Sequence, residues 1–185
     1  MTRALIISGH PNLNESIANA TILDAVATAL PEAEIRYLDA LYPDYRFDIA
    51  AEQQALLKAD VIVWQFPLSW YALPGLMKLW IDEVFLYGFS HGSTSQLNGK
   101  KLLLSFTTGA QEADFAPEGW FGHPLDAYLL PFRTTAQLCN LDLLPPIYTC
   151  GVGYLSRIEQ SQIHQQKEAA REHAARLVAA IKALS

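Results

Sequence analysis

The chain has 185 residues, of which 51% are hydrophobic and 17% charged, a composition that excludes an extended disordered protein. Its formal net charge of -6 provides no basic surface for nucleic acid, so we expect no nucleic-acid partner. Its two cysteines have neither metal-ligand spacing nor a disulfide-rich pattern, which favours a reducing, cytoplasmic setting and no metal site.

Strand and helix patterns alternate along the first half of the chain. Residues 3–8 predict a short buried strand, which a loop connects to an alanine-rich helix ending near Leu30. Residues 33–38 predict a second strand. After a connector, AEQQALLKA predicts a short amphipathic helix, and the nearly continuous apolar run ADVIVWQF predicts a strand covered on both faces.

The second half continues the alternation, with a turn at Asn98-Gly99. The predicted elements are a helix over 73–87, a strand over 100–108, a helix over 125–139, a strand over 144–152 and a closing helix over 157–183. Five strands alternating with helices predict an α/β fold with a parallel sheet, and we expect residues 1–185 to form one domain. Ligands of such sheets bind beyond the carboxyl ends of the strands, so the loops after the strands are the places to search.

The loop after the first strand reads SGHPNLNES. Hydroxyl and amide groups of Asn14, Ser16 and Asn19 stand at the start of a helix, whose N-H groups favour an anion such as phosphate. The alternative is that Asn14 or Ser16 only caps the helix and His10 lies in a turn. The loop contains neither a Walker motif nor a GxGxxG fingerprint, which argues against an NTPase.

The loop after the third strand, PLSWYALP, is apolar where a plain loop would be polar. Pro67 ends the strand because it cannot donate to the sheet, and Trp70 and Tyr71 follow at once. Such a loop suits the edge of a flat heterocycle. After the fourth strand, Thr107, Thr108 and the following glycine either form part of the same site or simply end the strand in a turn.

Together the segments SGHPNLNESIAN, QFPLSWYALPGLMKLWIDEVF and LLLSFTTGA resemble the NAD(P)H:quinone oxidoreductase family. These are DT-diaphorase-like flavoproteins, including the ancillary flavoprotein of glutathione-gated potassium efflux systems. The resemblance implies a flavodoxin-like α/β fold, a five-stranded parallel sheet in the order 2-1-3-4-5 with helices on both faces, and a homodimer. It implies FMN or FAD as cofactor, with FMN favoured because the chain lacks the long carboxyl-terminal extension that helps animal relatives hold adenine.

The resemblance also implies which residues bind the flavin. The expected phosphate neighbours are His10, Ser16 and Asn19. The residues expected along the isoalloxazine are Pro67, Leu68, Ser69, Trp70 and Tyr71. The residues expected at its pyrimidine side are Thr107, Thr108, Gly109 and Ala110.

The implied activity is hydride transfer from NAD(P)H through flavin N5 to quinones or related acceptors in a ping-pong sequence. The chain departs from the animal enzymes, because Phe115 and Phe121 stand where those enzymes have a tyrosine and a histidine as donors. His123 and Tyr128 are the candidate replacements. The alternatives are an ancillary flavin-binding subunit of a potassium efflux transporter, peripheral at the membrane through that partner, and a flavodoxin-type electron carrier.

Overall fold

The computed structural model describes residues 2–153 and 159–184. The strands are β1 (Ala4–Ser8), β2 (Glu34–Tyr37), β3 (Val61–Pro67), β4 (Lys101–Thr107), β5 (Asp142–Leu143) and β6 (Ile147–Thr149). The α-helices are α1 (Ala18–Ala29), α2 (Leu38–Leu41), α3 (Ile49–Lys58), α4 (Gly75–Val84), α5 (Leu130–Leu138) and α6 (Gln160–Lys182). Short 3-10 helices span Leu13–Glu15, Glu112–Phe115 and Leu125–Leu129. Across both described ranges, no helix combines the length and apolarity that a membrane crossing requires.

All strand pairs in the sheet are parallel, and the strand order is β2-β1-β3-β4-β5, with β6 also paired to β4. The predicted 2-1-3-4-5 order is therefore confirmed. The central strand β3 pairs with β1 on one side and with β4 on the other. The order reverses between β1 and β3, and this is where open α/β sheets bind ligands.

The prediction of the fifth strand is wrong, because residues 144–152 do not form one continuous strand. Instead, β5 and β6 lie along the free edge of β4, with Leu143 opposite Leu102 and Ile147 opposite Ser105. Three residues, 144–146, therefore stand opposite only two, 103–104. Two of the three are prolines, which have no N-H to donate to β4, so the strand is interrupted there.

Several predicted helix boundaries also need correction. The helix expected over 73–87 covers only Gly75–Val84, and Pro74 is its N-cap rather than a residue of its first turn. The helix expected over 125–139 begins as a 3-10 helix and becomes α-helical only at Leu130. The closing helix begins at Gln160. Residues 157 and 158, its predicted start, lie outside the described residues.

Side chains of the central strands alternate between two separate cores. On β3, Ile62, Trp64 and Phe66 pack on the side that contains the buried residues of α3, α4 and α5. Val61 and Val63 pack on the other side, with α1 and α6. Both sheet faces are thus covered by helices, as a parallel sheet requires. By the same alternation, polar residues at odd positions late in β3 and β4 face α1 and α6.

A buried carboxylate links elements on the side of the sheet that α3, α4 and α5 cover. Glu52 on α3 is fully buried and pairs with Arg36 of β2. It also accepts hydrogen bonds from the Tyr42 hydroxyl at 2.6 Å and from Trp80 Nε1 at 2.9 Å. Burial, together with the bond to this carboxylate, raises the pKa of Tyr42 to about 12. The charge is therefore fully partnered, and it ties α4, the helix after the Pro67 loop, to α3 and β2.

Candidate functional site

The loops that follow β1, β3 and β4 are held together by backbone hydrogen bonds at the carboxyl edge of the sheet. Gly9 N-H donates to the Gln65 carbonyl at 2.8 Å, and Leu68 N-H donates to the Thr107 carbonyl at 2.8 Å. Gly9 also packs so closely on α4 that an added Cβ would lie 2.3 Å from Met77 Sδ. The three loops singled out in the sequence therefore form one surface.

Two adjoining cavities open at this edge, and all twelve residues predicted for the site line one or both of them. A first cavity of about 180 Å³ is lined by His10, Ser16, Asn19, Pro67, Leu68, Ser69, Thr107 and Gly109. A second cavity of about 190 Å³ is lined by Leu68, Trp70, Tyr71, Thr108, Gly109 and Ala110. Leu68 and Gly109 line both cavities, so the two cavities adjoin.

The first cavity has a polar end at the start of α1. Ser16 Oγ accepts a hydrogen bond from Asn19 N-H at 3.0 Å, so Ser16 satisfies a backbone N-H group in the first turn of α1 as well as lining the cavity. His10 Nδ1 accepts from Asn12 N-H at 3.1 Å, which leaves the proton of a neutral ring on Nε2. Ile17, the N-cap residue, and Ala18, the first residue of the helix, also line this end. Their position gives the cavity the partial positive charge of a helix N-terminus.

Trp70 and Tyr71 form a tight two-residue turn beside the second cavity. Ser69 and Ala72 exchange two backbone hydrogen bonds of 3.0 Å across it. The φ angles of Trp70 and Tyr71 are 47° and 65°, in the left-handed region that non-glycine residues enter at a cost of about 1–2 kcal/mol each. The Trp70 side chain is 93% exposed, so its own burial does not offset that cost. Local strain of this kind is found preferentially at functional sites.

One wall of the second cavity is aromatic. Phe115 and Phe121 line it, and their ring centroids lie 4.9 Å apart. Tyr128 stacks on Tyr71 with a centroid distance of 5.2 Å, and its hydroxyl lies 3.0 Å from Nε2 of His123. Neither His123 nor Tyr128 lines the two cavities. The two candidate donors therefore form a pair behind the aromatic wall, and their catalytic role stays a prediction.

A chain of buried polar side chains, which the sequence interpretation missed, leads away from the first cavity. Its links are Thr107 Oγ1 to Asn19 Nδ2 (3.1 Å), Asn19 Oδ1 to Gln65 Nε2 (2.8 Å), Gln65 Oε1 to Ser105 Oγ (2.6 Å), Ser105 Oγ to His173 Nε2 (2.7 Å) and His173 Nδ1 to Thr149 Oγ1 (2.9 Å). The sequence did contain one signal for this chain: Gln65 and Ser105 are polar residues within otherwise apolar strands. The structure shows that they lie opposite each other.

His173 lies between Ser105 and Thr149 in this chain and is fully buried. Its neighbours on α6 are Ala170, Ala174 and Leu177, which form part of the core on that side. Burial, with a smaller contribution from the Arg176 guanidinium, lowers the pKa of His173 to about 3. The imidazole is therefore neutral at physiological pH, with one nitrogen donating and the other accepting.

Comparison with known proteins places this geometry among flavodoxin-like structures. The sequence profile of the flavodoxin-like fold family (Flavodoxin_2) matches residues 2–174. General stress protein 14 of Treponema denticola, solved in complex with FMN, is 34% identical, with 97% of this chain and 99% of that chain covered and a TM-score of 0.86.

Two further solved structures are similar over almost their whole length. One is described as a thermophilic tryptophan halogenase from Streptomycin violaceusniger, with 32% identity, a TM-score of 0.80, and 91% of this chain and 96% of that chain covered. The other is an NADPH-quinone reductase from P. pentosaceus, with 25% identity, a TM-score of 0.70, and 93% and 97% covered. The described activities differ between them, whereas the fold is shared.

The buried imidazole predicts a specific dependence of stability on pH. The unfolded chain protonates His173 near pH 6.5, whereas the folded chain does so only near its lowered pKa of about 3. Between these pH values the unfolded state binds more protons than the folded state, so the free energy of unfolding falls as the pH falls. His173 contributes at most about 1.4 kcal/mol to this fall for each pH unit. In urea titrations from pH 7 to pH 4, we expect the stability difference between the wild type and His173→Gln to shrink. Parallel curves would contradict this prediction.

Proposed function

Because the chain belongs to the flavodoxin-like fold family, we propose that it is a flavin-dependent NAD(P)H oxidoreductase that reduces quinones or related acceptors. The observation that carries the proposal is the pair of adjoining cavities, one with a polar end and one with an aromatic wall, lined by the residues that the sequence resemblance implies. The FMN complex of a protein 34% identical to this chain supports the choice of cofactor. The quinone reductase at 25% identity supports the choice of acceptor.

The first cavity fits the phosphate end of a flavin mononucleotide. Ser16, Asn19 and the backbone at the start of α1 supply hydrogen-bond donors and a favourable helix dipole for an anion. In the described residues lining this cavity there is no carboxylate that would repel a phosphate. We propose FMN rather than FAD, with His10, Ser16 and Asn19 at the phosphate.

The second cavity fits the flat ring. Tyr71, Phe115 and Phe121 give it an apolar wall, while the backbone of residues 108–110 offers donors and acceptors at its edge. The Thr108 hydroxyl donates to the Ala110 carbonyl at 2.8 Å, which fixes the conformation of that loop.

In this proposal the protein contributes orientation and electrostatics. When bound, the flavin supplies the two-electron chemistry that links NAD(P)H oxidation to acceptor reduction in alternating half-reactions. The aromatic wall excludes water from one side of the second cavity, and the strained turn at Trp70 holds its backbone groups in a fixed orientation. His123 and Tyr128 remain proposed donors, although neither lines the cavities.

The other functions considered have less support. Only one of the three similar proteins is described as a halogenase, and the descriptions of the other two do not mention halogenation. The expected transporter partner, which rests on the sequence resemblance alone, has no support among these proteins. An electron carrier would have no need of a cavity open to nicotinamide.

The proposed function is tested on the purified protein by absorbance and by identifying the heat-released cofactor by mass. We expect a flavin spectrum and the mass of FMN. Anaerobic NADPH should bleach the spectrum at one equivalent per site, and a soluble quinone should restore it. The proposal fails if the protein binds neither FMN nor FAD after incubation with an excess of each, or if bound flavin is not reduced by NADPH or NADH.

Trp70 offers a sharp test of the ring contact, because its side chain is 93% exposed and Asp is better tolerated at its positive φ. Trp70→Asp should weaken FMN binding by roughly ten-fold or more while changing the unfolding free energy by less than about 1 kcal/mol. Trp120, which is 87% exposed and lines neither cavity, gives the matched control Trp120→Asp, whose affinity should equal that of the wild type. Equal affinities in all three proteins would disprove the contact.

We also propose that the protein is a homodimer. Large apolar side chains are exposed on the described surface, including Tyr87 (75%), Leu130 (60%) and Leu138 (63%). The chain mass is 20.5 kDa, so sedimentation equilibrium should give 2 × 20.5 = 41.0 kDa. A mass of 20.5 kDa across the micromolar range would show a monomer.

A further inference from the structure

The buried polar chain between α6 and the first cavity has a fixed direction. At its outer end Arg176 Nη2 donates to Thr149 Oγ1 at 3.0 Å and to the Tyr148 carbonyl at 2.8 Å. Arginine cannot accept a hydrogen bond, so Thr149 Oγ1 is an acceptor at this end. The positive guanidinium also favours neighbouring dipoles whose negative ends point towards it.

Each following link continues the same direction. The Ser105 hydroxyl donates its single proton to Gln65 Oε1, so Ser105 Oγ accepts from His173 Nε2. A neutral imidazole that donates at Nε2 accepts at Nδ1, so the ring accepts the Thr149 proton there.

The two amides transmit this direction to the cavity. Gln65 Nε2 donates to Asn19 Oδ1, and Asn19 Nδ2 donates to Thr107 Oγ1. Thr107 is therefore an acceptor inside the protein, and no described group accepts its own hydroxyl proton. The side chain lines the first cavity, whereas the neighbouring Thr108 uses its proton on the Ala110 carbonyl. The last proton of the chain is thus available to a ligand.

We propose that His173 is a positioning residue that orients this chain so that the Thr107 hydroxyl donates a hydrogen bond to an oxygen atom of the ligand bound in the first cavity. The imidazole suits the role because it accepts and donates on opposite sides while fully buried. Linked hydrogen bonds polarise one another, so the terminal hydroxyl is a stronger donor than an isolated one. This inference rests on the proposed function, with FMN as the ligand.

The first experiment needs no ligand. In the ¹⁵N-labelled apoprotein, the side-chain spectrum of His173 should show a neutral ring protonated at Nε2 at pH 7. The assignment comes from comparison with His173→Gln, which lacks this signal. A ring protonated at Nδ1, or at both nitrogens, would overturn the proposed direction of the chain.

The second experiment measures FMN affinity of the apoproteins by fluorescence titration. Thr107→Val and His173→Leu should each raise the Kd roughly ten-fold. Because both changes interrupt one chain, the double variant should also lie near ten-fold rather than near a hundred-fold. His173→Gln, whose amide still donates towards Ser105, should stay within about three-fold of the wild type.

Leu177→Ala is the control for a general loss of stability. Leu177 lies on the same buried face of α6 and is fully buried, but it is outside the chain. This variant should unfold at a lower temperature and yet bind FMN like the wild type. If the wild type binds neither FMN nor FAD, the proposed function fails and this inference with it. If the wild type binds FMN and His173→Leu binds it equally well, or the double variant is additive, only this inference fails.

Discussion

Coverage of both faces of a parallel sheet is the constraint on which the rest of this structure depends. Helices exclude water from the central strands, so a polar group placed there is costly unless it finds a partner inside the protein. Gln65 and Ser105 lie on neighbouring strands in register, and both are fully buried. An unpartnered amide or hydroxyl at these positions would cost about 1–3 kcal/mol each. The chain through His173 satisfies them.

The same coverage explains why the cavities lie at the carboxyl edge. There the helices diverge around the switch in strand order, and the backbone leaves the sheet in three loops. Strain at Trp70 and Tyr71 is tolerated because two hydrogen bonds close their turn and Pro67 anchors its start against β4. The rigid loops and the hydrogen-bonded polar side chains of the strands thus both shape the surface at the carboxyl edge of the sheet.

Much of the fold, and the position of the loops that line the two cavities, were predictable from sequence, because both follow from local signals. Apolar runs marked β1, β3 and β4, and Pro67 marked where a loop begins. The break between β5 and β6 was missed, since apolar and proline residues at 144–147 read as one strand until the register with β4 is known. The role of His173 was missed because its partners lie 68 and 24 residues away in sequence, and periodicity carries no information on such pairings.

The interruption of the edge strand has a consequence for the protein in concentrated solution. The outer edge of a sheet presents unpaired backbone groups on which a strand of another molecule can add, and this is a common start of aggregation. Here that edge is divided into segments of two and three residues by Pro145 and Pro146, which have no N-H groups to offer. At the other edge, Glu34 and Arg36 place charges on the four-residue strand β2. Both edges are therefore poor templates for intermolecular strand pairing.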